Sequence, residues 1–374
     1  MNDLLRGAVS ARSSAGLPVL HRSLMVLALA PAIAFGAVLP DEIGGDNFDG
    51  FDLTPCDASL TADSSIAKDY AAGLDLCAQT TPESHAPGLI SANLSLADGN
   101  GTPNASSRRI RPSFGTGILP RRGSALVLLS TGKALASGDV GFVSPQPGFA
   151  AGTSSPFPAD WLSFHNGQLP APPSCPPPNG SSAIDPVQLK LRIRVPNNAH
   201  SFSLDANFLA ADFPEWVCGA YNDYFVALLD SAFENPLNPP DKNLASFNAP
   251  SGVPVSVDLA VLDAGLFTQC VNGAIGCLSH SFDSIATCSG TGQLVGTGMD
   301  ATASSADTCG NANGQVGGGT GWLVIRGNVL PGDVVELRLV IWDTGDGTYD
   351  SEVVLDNFRW SYQSVEGGTT LAAP

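Results

Sequence analysis

The sequence has few basic residues and a low overall content of charge. Of its 374 residues only 17 are Lys or Arg, against 35 Asp or Glu, which gives a formal net charge of −18. Nucleic acids and anionic membranes are bound through basic patches that neutralise phosphate groups, so both classes of partner are disfavoured. Charged residues make up 14% of the chain and apolar residues 43%, a balance typical of a folded protein.

The sequence also lacks the motifs of the common hydrolases and zinc proteins. It contains no G-x-S-x-G, no H-E-x-x-H and no C-x-x-C pair, and its five histidines are scattered. These absences leave a serine hydrolase, a zinc hydrolase and a thioredoxin-like site without sequence support. We therefore expect a protein that is not an enzyme.

No apolar run is long enough to be a clear membrane span. The apolar-biased stretch at residues 24–39 is interrupted by Pro31, and a spanning helix needs about 20 apolar residues. Arginines precede this run, and Ala32-Ile33-Ala34 resembles a small-x-small cleavage site, a pattern typical of a secretory signal. We predict a signal peptide at residues 1–36, with a membrane anchor as the alternative, and a mature chain that is secreted or at the cell surface.

All eight cysteines follow the predicted signal, and their even number predicts disulfide bonds in an exported protein. Eight cysteines permit about a hundred pairings, so the sequence leaves the connectivity open. Pairing in sequence order is the simplest hypothesis: Cys56–Cys77, Cys175–Cys218, Cys270–Cys277 and Cys288–Cys309.

Composition and apolar periodicity predict an all-β fold. The chain has 41 Gly and 29 Pro, which favour turns between short strands. Apolar runs, several of them alternating, predict strands at residues 124–130, 187–195, 202–208, 223–229, 253–262, 322–327, 335–342 and 352–360. We predict an antiparallel β-sandwich, jelly-roll-like, with one outer face in contact with water and a small N-terminal helical segment.

The domain organisation follows from shifts in composition. Residues 37–80 form an acidic lead-in and a helix at about residues 61–77, which a Cys56–Cys77 bridge would tie down. Residues 81–362 form the sandwich domain, with a Pro- and Gly-rich surface excursion at residues 148–180. Residues 363–374 are expected to be a flexible tail.

An acidic, glycine-containing loop joins the last two predicted strands, which we expect to form a hairpin. Ca²⁺ takes about six to eight oxygen ligands, often from flexible acidic loops. The candidate Ca²⁺ ligands are Asp343, Asp346, Asp350, Glu352 and Asp356. The alternative is that Asp and Gly stand here because turns favour them. No other cofactor is indicated.

A second segment, residues 212–230, interleaves aromatic and acidic side chains. Its candidate ligand-binding residues are Glu215, Trp216, Tyr221 and Asp223, a mixture suited to carbohydrate or peptide recognition. The alternative is that the aromatic rings fill the core of the sandwich. Proximity of Glu215 or Asp223 to the acidic loop in the fold would favour the cation site over the turn interpretation.

Two blocks of sequence resemble the choice-of-anchor L domain of secreted bacterial proteins. They are FPEWV…YNDYF at residues 213–225 and WDTGDGTYDS…DNF at residues 342–358, and the resemblance runs from about residue 71 to residue 360. The resemblance implies a β-rich fold and surface display through varied C-terminal signals, without a defined activity or catalytic residues. After Trp360 no apolar tail follows, so release or non-covalent retention is expected.

We therefore expect an exported, non-enzymatic extracellular or cell-surface module for binding or adhesion, with Ca²⁺ as the candidate stabilising ion. Its expected partner is an extracellular glycan or a surface protein. One alternative is a secreted glycan-active hydrolase that uses paired carboxylates such as Glu215 and Glu352. The other is a purely structural envelope or matrix protein.

Overall fold

The computed structural model describes residues 56–234, 236–247, 252–262, 264–279, 282–302, 309–310, 314 and 317–373, and the backbone of residues 42 and 43. The chain separates into a unit of residues 1–39 and a unit of residues 40–374. The predicted signal peptide lies outside the described residues. Within the described residues, no helix is both long and apolar enough to cross a membrane.

The described chain is mostly β-structure, with two short α-helices. The strands are β1 (Glu42–Ile43), β2 (Gly88–Ser95), β3 (Arg108–Arg111), β4 (Leu126–Ser130), β5 (Ser154–Ser155), β6 (Ala183–Arg194), β7 (Ser201–Ala210), β8 (Tyr224–Asp230), β9 (Ser246–Phe247), β10 (Val253–Ser256), β11 (Gly273–Ile275), β12 (Asp283–Ile285), β13 (Gly318–Asn328), β14 (Val334–Thr344), β15 (Ser351–Ser361) and β16 (Gly368–Leu371). The helices are α1 (Ala67–Gly73) and α2 (Ala159–Phe164).

The strands form two antiparallel sheets that pack face to face. The first has the order β16-β13-β7-β15-β4-β3, and the second has the order β2-β6-β14-β8-β10-β9. Eight of these strands form the core of the sandwich, and we number them 1 to 8 in chain order: β4, β6, β7, β8, β10, β13, β14 and β15. In these numbers the first sheet has the order 1-8-3-6 and the second sheet has the order 2-7-4-5. This is the strand order of a jelly roll, in which successive strands cross between the sheets. The predicted jelly-roll-like sandwich is confirmed.

The prediction that the last two strands form a hairpin is wrong. β14 lies in the second sheet between β6 and β8, whereas β15 lies in the first sheet between β7 and β4. Because both edges of β14 are already paired, the chain after it has no free edge to return to and crosses to the other sheet. The acidic loop at residues 345–350 is therefore an arch between the sheets.

Both outer faces of the sandwich are covered, so the predicted wet face is restricted to a few positions. On β6, Arg192 is exposed as the alternation predicts. On β14, however, Val340 and Trp342 are buried against Trp161 and Phe157. Those two rings come from the segment predicted as a surface excursion, which includes α2 and packs on the outer face of the second sheet.

The N-terminal helix is shorter than its apolar spacing predicts. α1 keeps Tyr70 buried, but Ile66 precedes the helix and its side chain is 58% exposed. Leu74 is buried and ends the helix. At the other end of the chain, the expected flexible tail contains β16, which pairs with β13.

Four disulfide bonds are present, and two follow the predicted order. Cys56–Cys77 and Cys175–Cys218 are confirmed. The predicted Cys270–Cys277 and Cys288–Cys309 bonds are wrong, because the structure pairs Cys270 with Cys288 and Cys277 with Cys309. The reason is the β11–β12 ladder, in which Gly273 opposes Ile285. Extending this register by three residues on each strand places Cys270 opposite Cys288.

Trp161→Ala tests whether the α2 segment is part of the cooperative fold. Trp161 is 1% exposed and packs against Trp342 and Tyr224, and its indole donates a hydrogen bond to Asp241. Removing so large a buried ring is expected to lower the free energy of unfolding by about 3–5 kcal/mol. Chemical denaturation measures this change.

The matched control is Phe164→Ala, a change on the same helix at a side chain that is 49% exposed. It is expected to alter the free energy of unfolding by less than about 1 kcal/mol. If Trp161→Ala changed the free energy of unfolding as little as Phe164→Ala does, the α2 segment would not be part of the cooperative fold.

Candidate acidic site at one end of the sandwich

The candidate site lies at the end of the sandwich where β7 and β14 stop and β8 and β15 start. The register pairs Trp342 with Tyr224 across β14 and β8, which brings the adjacent residues Asp343 and Asp223 side by side. Asp212 follows β7 by two residues. Because the four strands are interior strands of their sheets, acidic residues at these ends are buried rather than presented to water.

Three carboxylates form what we call the acidic cluster: Asp212, Asp223 and Asp343. The Asp223 side chain contacts those of Asp212 and Asp343, and all three residues are at most 2% exposed. Asp223 accepts hydrogen bonds from the Thr344 amide at 3.2 Å and the Ser351 hydroxyl at 2.7 Å. None of the three forms an ion pair within the described residues.

Asp343 has the fewest hydrogen-bond partners of the three residues in the acidic cluster. Among the described residues, neither of its carboxylate oxygens has a hydrogen-bond partner. The Asp223 carboxyl and the Thr131 hydroxyl influence its pKa, but neither makes a hydrogen bond of normal geometry with it. Asp212 Oδ2 also lacks a partner in this part of the chain. Buried carboxylates without donors are costly and call for a proton or a cation.

Burial raises the pKa of each carboxyl in the acidic cluster. Loss of solvation, followed by the charge of Asp223, holds the pKa of Asp212 and of Asp343 well above the usual range. Loss of solvation raises the pKa of Asp223 to about 7, and the bond from Ser351 opposes this rise. In the absence of a cation, the acidic cluster therefore retains protons near neutral pH.

Asp350 stands beside the acidic cluster and holds a loop in place. Both of its oxygens accept the Phe149 amide at 3.0 Å. Burial raises its pKa to about 8, with the charge of Asp223 adding to the rise and the Phe149 bond opposing it. A Cβ atom on Gly132 would lie 1.8 Å from Asp350 Oδ2, so only glycine permits this close approach.

A surface pocket opens above the acidic cluster. It has a volume of about 140 Å³ and is lined by Asp212, Trp216, Tyr221, Asp346, Thr348 and Tyr349. We call it the Trp216 pocket. The Trp216 and Tyr221 rings stand nearly perpendicular, at 85°, with their centroids 5.2 Å apart. Asp346 is exposed and accepts a hydrogen bond from the Thr348 amide.

The loop that supplies Trp216 and Tyr221 is tied to two neighbouring segments. The Cys175–Cys218 disulfide joins it to the Pro-rich segment. Residues 276–279 brace it from the other side, since the Gly276 amide donates to Pro214 O at 2.8 Å and the Ser279 hydroxyl donates to Val217 O at 2.7 Å. These bonds hold the pocket wall in position without a ligand.

The structure separates the five predicted Ca²⁺ ligands into two groups. Asp343 is in the acidic cluster, Asp350 adjoins it, and Asp346 lies at the pocket mouth. Glu352 and Asp356 lie on the outer face of β15, on either side of Val354, and are not part of the acidic cluster.

Asp356 instead accepts hydrogen bonds from the Arg121 amide at 2.5 Å and the Arg122 amide at 3.2 Å. Glu352 is buried, which raises its pKa well above the usual range, and the charge of Asp350 adds to the rise. Strand periodicity explains both positions, because residues two apart share a face of the sheet.

The four predicted ligand-binding residues lie around the Trp216 pocket at different depths. Trp216 and Tyr221 line it, whereas Asp223 lies beneath it in the acidic cluster. Glu215 is buried, and its charge contributes to the raised pKa of Asp212. Sequence reasoning did not single out Asp212 as a site residue. The available signal was its position directly after an apolar strand, as for Asp343.

The donors fit a hard cation such as Ca²⁺, because all of them are oxygen atoms. Within the described residues, however, no three carboxylate oxygens from different residues lie within 4.8 Å of one another. The one close group of three in that region joins Cys175, Cys218 and Asp258, and its two sulfurs are bonded to each other. A cation could therefore be held in one of two ways. Asp343 and one neighbouring carboxylate could bind it with further oxygen ligands, or a small movement of the side chains could bring a third carboxylate within reach.

Comparison with known proteins leaves the family open. No family model matches the chain, and no curated protein matches it. Among solved structures, the K1 cleaved adhesin domain of Lys-gingipain from Porphyromonas gingivalis W83 matches 75% of this chain and 95% of that one. The sequence identity is 9% and the TM-score is 0.24, values too low to show a shared fold. The resemblance to the choice-of-anchor L domain stays a prediction.

The raised pKa values predict how stability depends on pH in the presence of EDTA. A group whose pKa is higher in the folded protein stabilises it below the unfolded pKa, near 4, and this stability is lost as pH rises through the folded pKa. For Asp223 and Asp350 the loss extends to about pH 7–8. Urea unfolding in EDTA at several pH values is expected to show a decrease in stability over this window.

In Asp343→Asn the free energy of unfolding is expected to fall less steeply as pH rises. Near pH 8 in EDTA this variant should be more stable than wild type by on the order of 1–3 kcal/mol. The amide removes a charge that faces Asp223 while preserving shape. The control, Asp346→Asn, changes an exposed carboxyl and should follow the wild-type curve. A pH dependence in Asp343→Asn parallel to that of wild type would show that Asp343 is not repelled by its neighbours.

Proposed function

We propose that this protein is an exported, non-enzymatic binding module in which a Ca²⁺ ion orders the end of the sandwich that carries the Trp216 pocket. It acts outside the cell or at the cell surface, on an extracellular glycan or a surface protein. The four disulfide bonds support an oxidising compartment. The predicted signal peptide is consistent with the same location.

The observation that carries the proposal is the state of Asp343. This carboxylate is buried, lies against Asp223, and has no hydrogen-bond partner among the described residues. Two carboxylates in contact raise each other's pKa, and a cation between or beside them allows both to ionise at neutral pH. Extracellular Ca²⁺ sites with dissociation constants of about 10⁻⁴–10⁻³ M are sufficient, because the ion is abundant there.

Asp343 would hold the ion together with Asp223, and one oxygen of Asp212 would join them after a small closure of the side chains. When bound, Ca²⁺ supplies positive charge and joins oxygen ligands that belong to both sheets. Asp343 and Asp223 come from the second sheet, whereas Asp212 follows β7 of the first. The two sheets would thus be linked at the end where the pocket opens.

The positions of the two glutamates favour a binding role over glycoside hydrolysis. Glu215 is 1% exposed and Glu352 is 4% exposed. A glycosidase needs two carboxyl groups that reach opposite sides of a bound sugar. Glu352 instead faces outward from β15 under a layer of loops, and neither glutamate lines the Trp216 pocket.

Ca²⁺ is expected to stabilise the protein, as measured by thermal unfolding near neutral pH with EDTA or with excess Ca²⁺. Saturation to about 100 times the dissociation constant adds about 2.7 kcal/mol, which corresponds to a rise in Tm of roughly 3–5 °C for a domain of this size. Mg²⁺ should give a smaller rise, because it requires stricter octahedral geometry.

Asp343→Asn should lose most of this rise, whereas Asp356→Asn should retain it, since Asp356 lies away from the acidic cluster. The Asp356 substitution is a matched control because it also replaces a buried carboxyl at a strand position. An unchanged midpoint of wild type between EDTA and Ca²⁺ would rule out the ion.

The protein is also expected to leave a panel of polysaccharides intact. Reducing-end assays on soluble plant, animal and bacterial polysaccharides measure this directly. Hydrolysis by wild type that disappears in both Glu215→Gln and Glu352→Gln would overturn the non-enzymatic proposal. Hydrolysis that persists in both and co-purifies with the protein would overturn the proposal as well, because other residues of the chain would then be catalytic.

A further inference from the structure

We propose that the Trp216 pocket takes a primary alkylammonium group, the end of a lysine side chain presented by a partner protein. The inference rests on the proposed function, because it names the ligand of that same module. It is carried by the size of the pocket, the arrangement of its aromatic walls and the acid at its floor.

The size of the pocket favours a small group over a sugar chain. Its volume is about 140 Å³, whereas sites for drug-sized ligands usually measure about 300–1,000 Å³. A pocket of this size suits a single small group better than a chain of several sugar rings. The tip of a single extended side chain fits this volume, with its methylene groups against the rings.

The walls suit a cation. Trp216 and Tyr221 meet at 85°, so two aromatic faces or edges bound one corner of the pocket, and Tyr349 lines it as a third ring. Ammonium groups are attracted to the faces of aromatic rings within about 6 Å. Tyr349 has a φ of 66°, which is rare for an aromatic residue and is often associated with functional sites.

The floor distinguishes a primary ammonium from a quaternary one. Asp212 lines the pocket, is 1% exposed, and has one oxygen without a hydrogen-bond partner among the described residues. A primary ammonium offers three N–H donors to such a carboxylate, whereas a quaternary ammonium offers none. Asp346, exposed at the mouth, adds a second carboxylate on the approach.

The charge of the surroundings favours a basic partner, most strongly with Ca²⁺ bound. None of the six residues that line the pocket is basic. With one Ca²⁺ bound and the acidic cluster ionised, the cluster together with Asp346 still carries net negative charge. The whole chain, at −18, would also attract a basic protein over longer distances.

Isothermal titration calorimetry with the full mature protein in Ca²⁺ tests the inference. The probes are Nα-acetyl-lysine amide and its neutral isostere Nα-acetyl-norleucine amide. The lysine probe is expected to bind in the millimolar range, and the norleucine probe at least tenfold more weakly. Choline and glucosamine, which represent a lipid headgroup and a cationic sugar, should also bind more weakly than the lysine probe.

Two variants address the two halves of the pocket. Trp216→Ala should weaken lysine binding roughly tenfold through loss of a cation–π wall. Asp346→Lys reverses an exposed charge, so it should preserve the fold and weaken binding by at least tenfold even if Trp216→Ala does not fold. Phe164→Ala, a change at an exposed ring that does not line the pocket, is the control and should bind like wild type.

The outcomes separate this inference from the proposed function. Equal binding of the lysine and norleucine probes, or tighter binding of choline or glucosamine, would overturn the lysine assignment. A Ca²⁺-dependent rise in Tm without lysine binding would overturn this inference alone. Absence of both effects would overturn the proposed function as well.

Discussion

The crossing of the chain from β14 to β15 is the constraint on which the acidic site depends. Both strands are interior to their sheets, so the loop between them spans the end of the sandwich instead of turning back. The same crossing occurs between β7 and β8, and the four strand ends meet. At an edge strand, Asp223 and Asp343 would face water. Between interior strands they face each other, and their burial follows from the topology.

A fold that buries carboxylates in contact must offset that free energy elsewhere. The loop between β7 and β8 is held by the Cys175–Cys218 bond and by hydrogen bonds from residues 276–279. A further disulfide, Cys277–Cys309, fixes that bracing segment. Each disulfide restricts the unfolded chain and contributes about 2–4 kcal/mol. Cross-links next to the pocket thus allow it to keep acids that a core without them would exclude.

Much of the fold could be predicted from the sequence, because alternating residues such as those of β6 report directly which side of a strand is buried. Periodicity does not report which sheet a strand joins, so it predicts a hairpin after Asp343 where the chain forms an arch. The same limit affected the disulfides, since the partner of Cys270 depends on the short β11–β12 ladder. The contact between Trp161 and Trp342 could not be predicted either. It joins segments about 180 residues apart in sequence, and the segment that contains Trp161 is rich in proline.

The candidate site was predictable in part, and the errors have a physical reason. Residues 212–223 and the acidic loop were each recognised from composition, and the structure brings them together through strand register. Nearness in sequence groups Asp356 with them, although it lies on the outer face of β15 with Val354 and outside the acidic cluster. The sequence does not single out Asp212, because a single acid after an apolar strand is common. Only its contact with Asp223 distinguishes it.

The proposed ion and the proposed ligand are linked through the protonation of the acidic cluster. Without a cation, the raised pKa values keep protons on these acids near neutral pH, and the floor of the pocket loses charge. The proposed Ca²⁺ ion would displace those protons, and three carboxylates with one Ca²⁺ would carry one net negative charge. Although Ca²⁺ is itself a cation, it would therefore leave the pocket more attractive to an ammonium group than protons do. Ion and ligand binding would then be cooperative at neutral pH, and by linkage the ligand would raise the affinity for Ca²⁺ by the same factor.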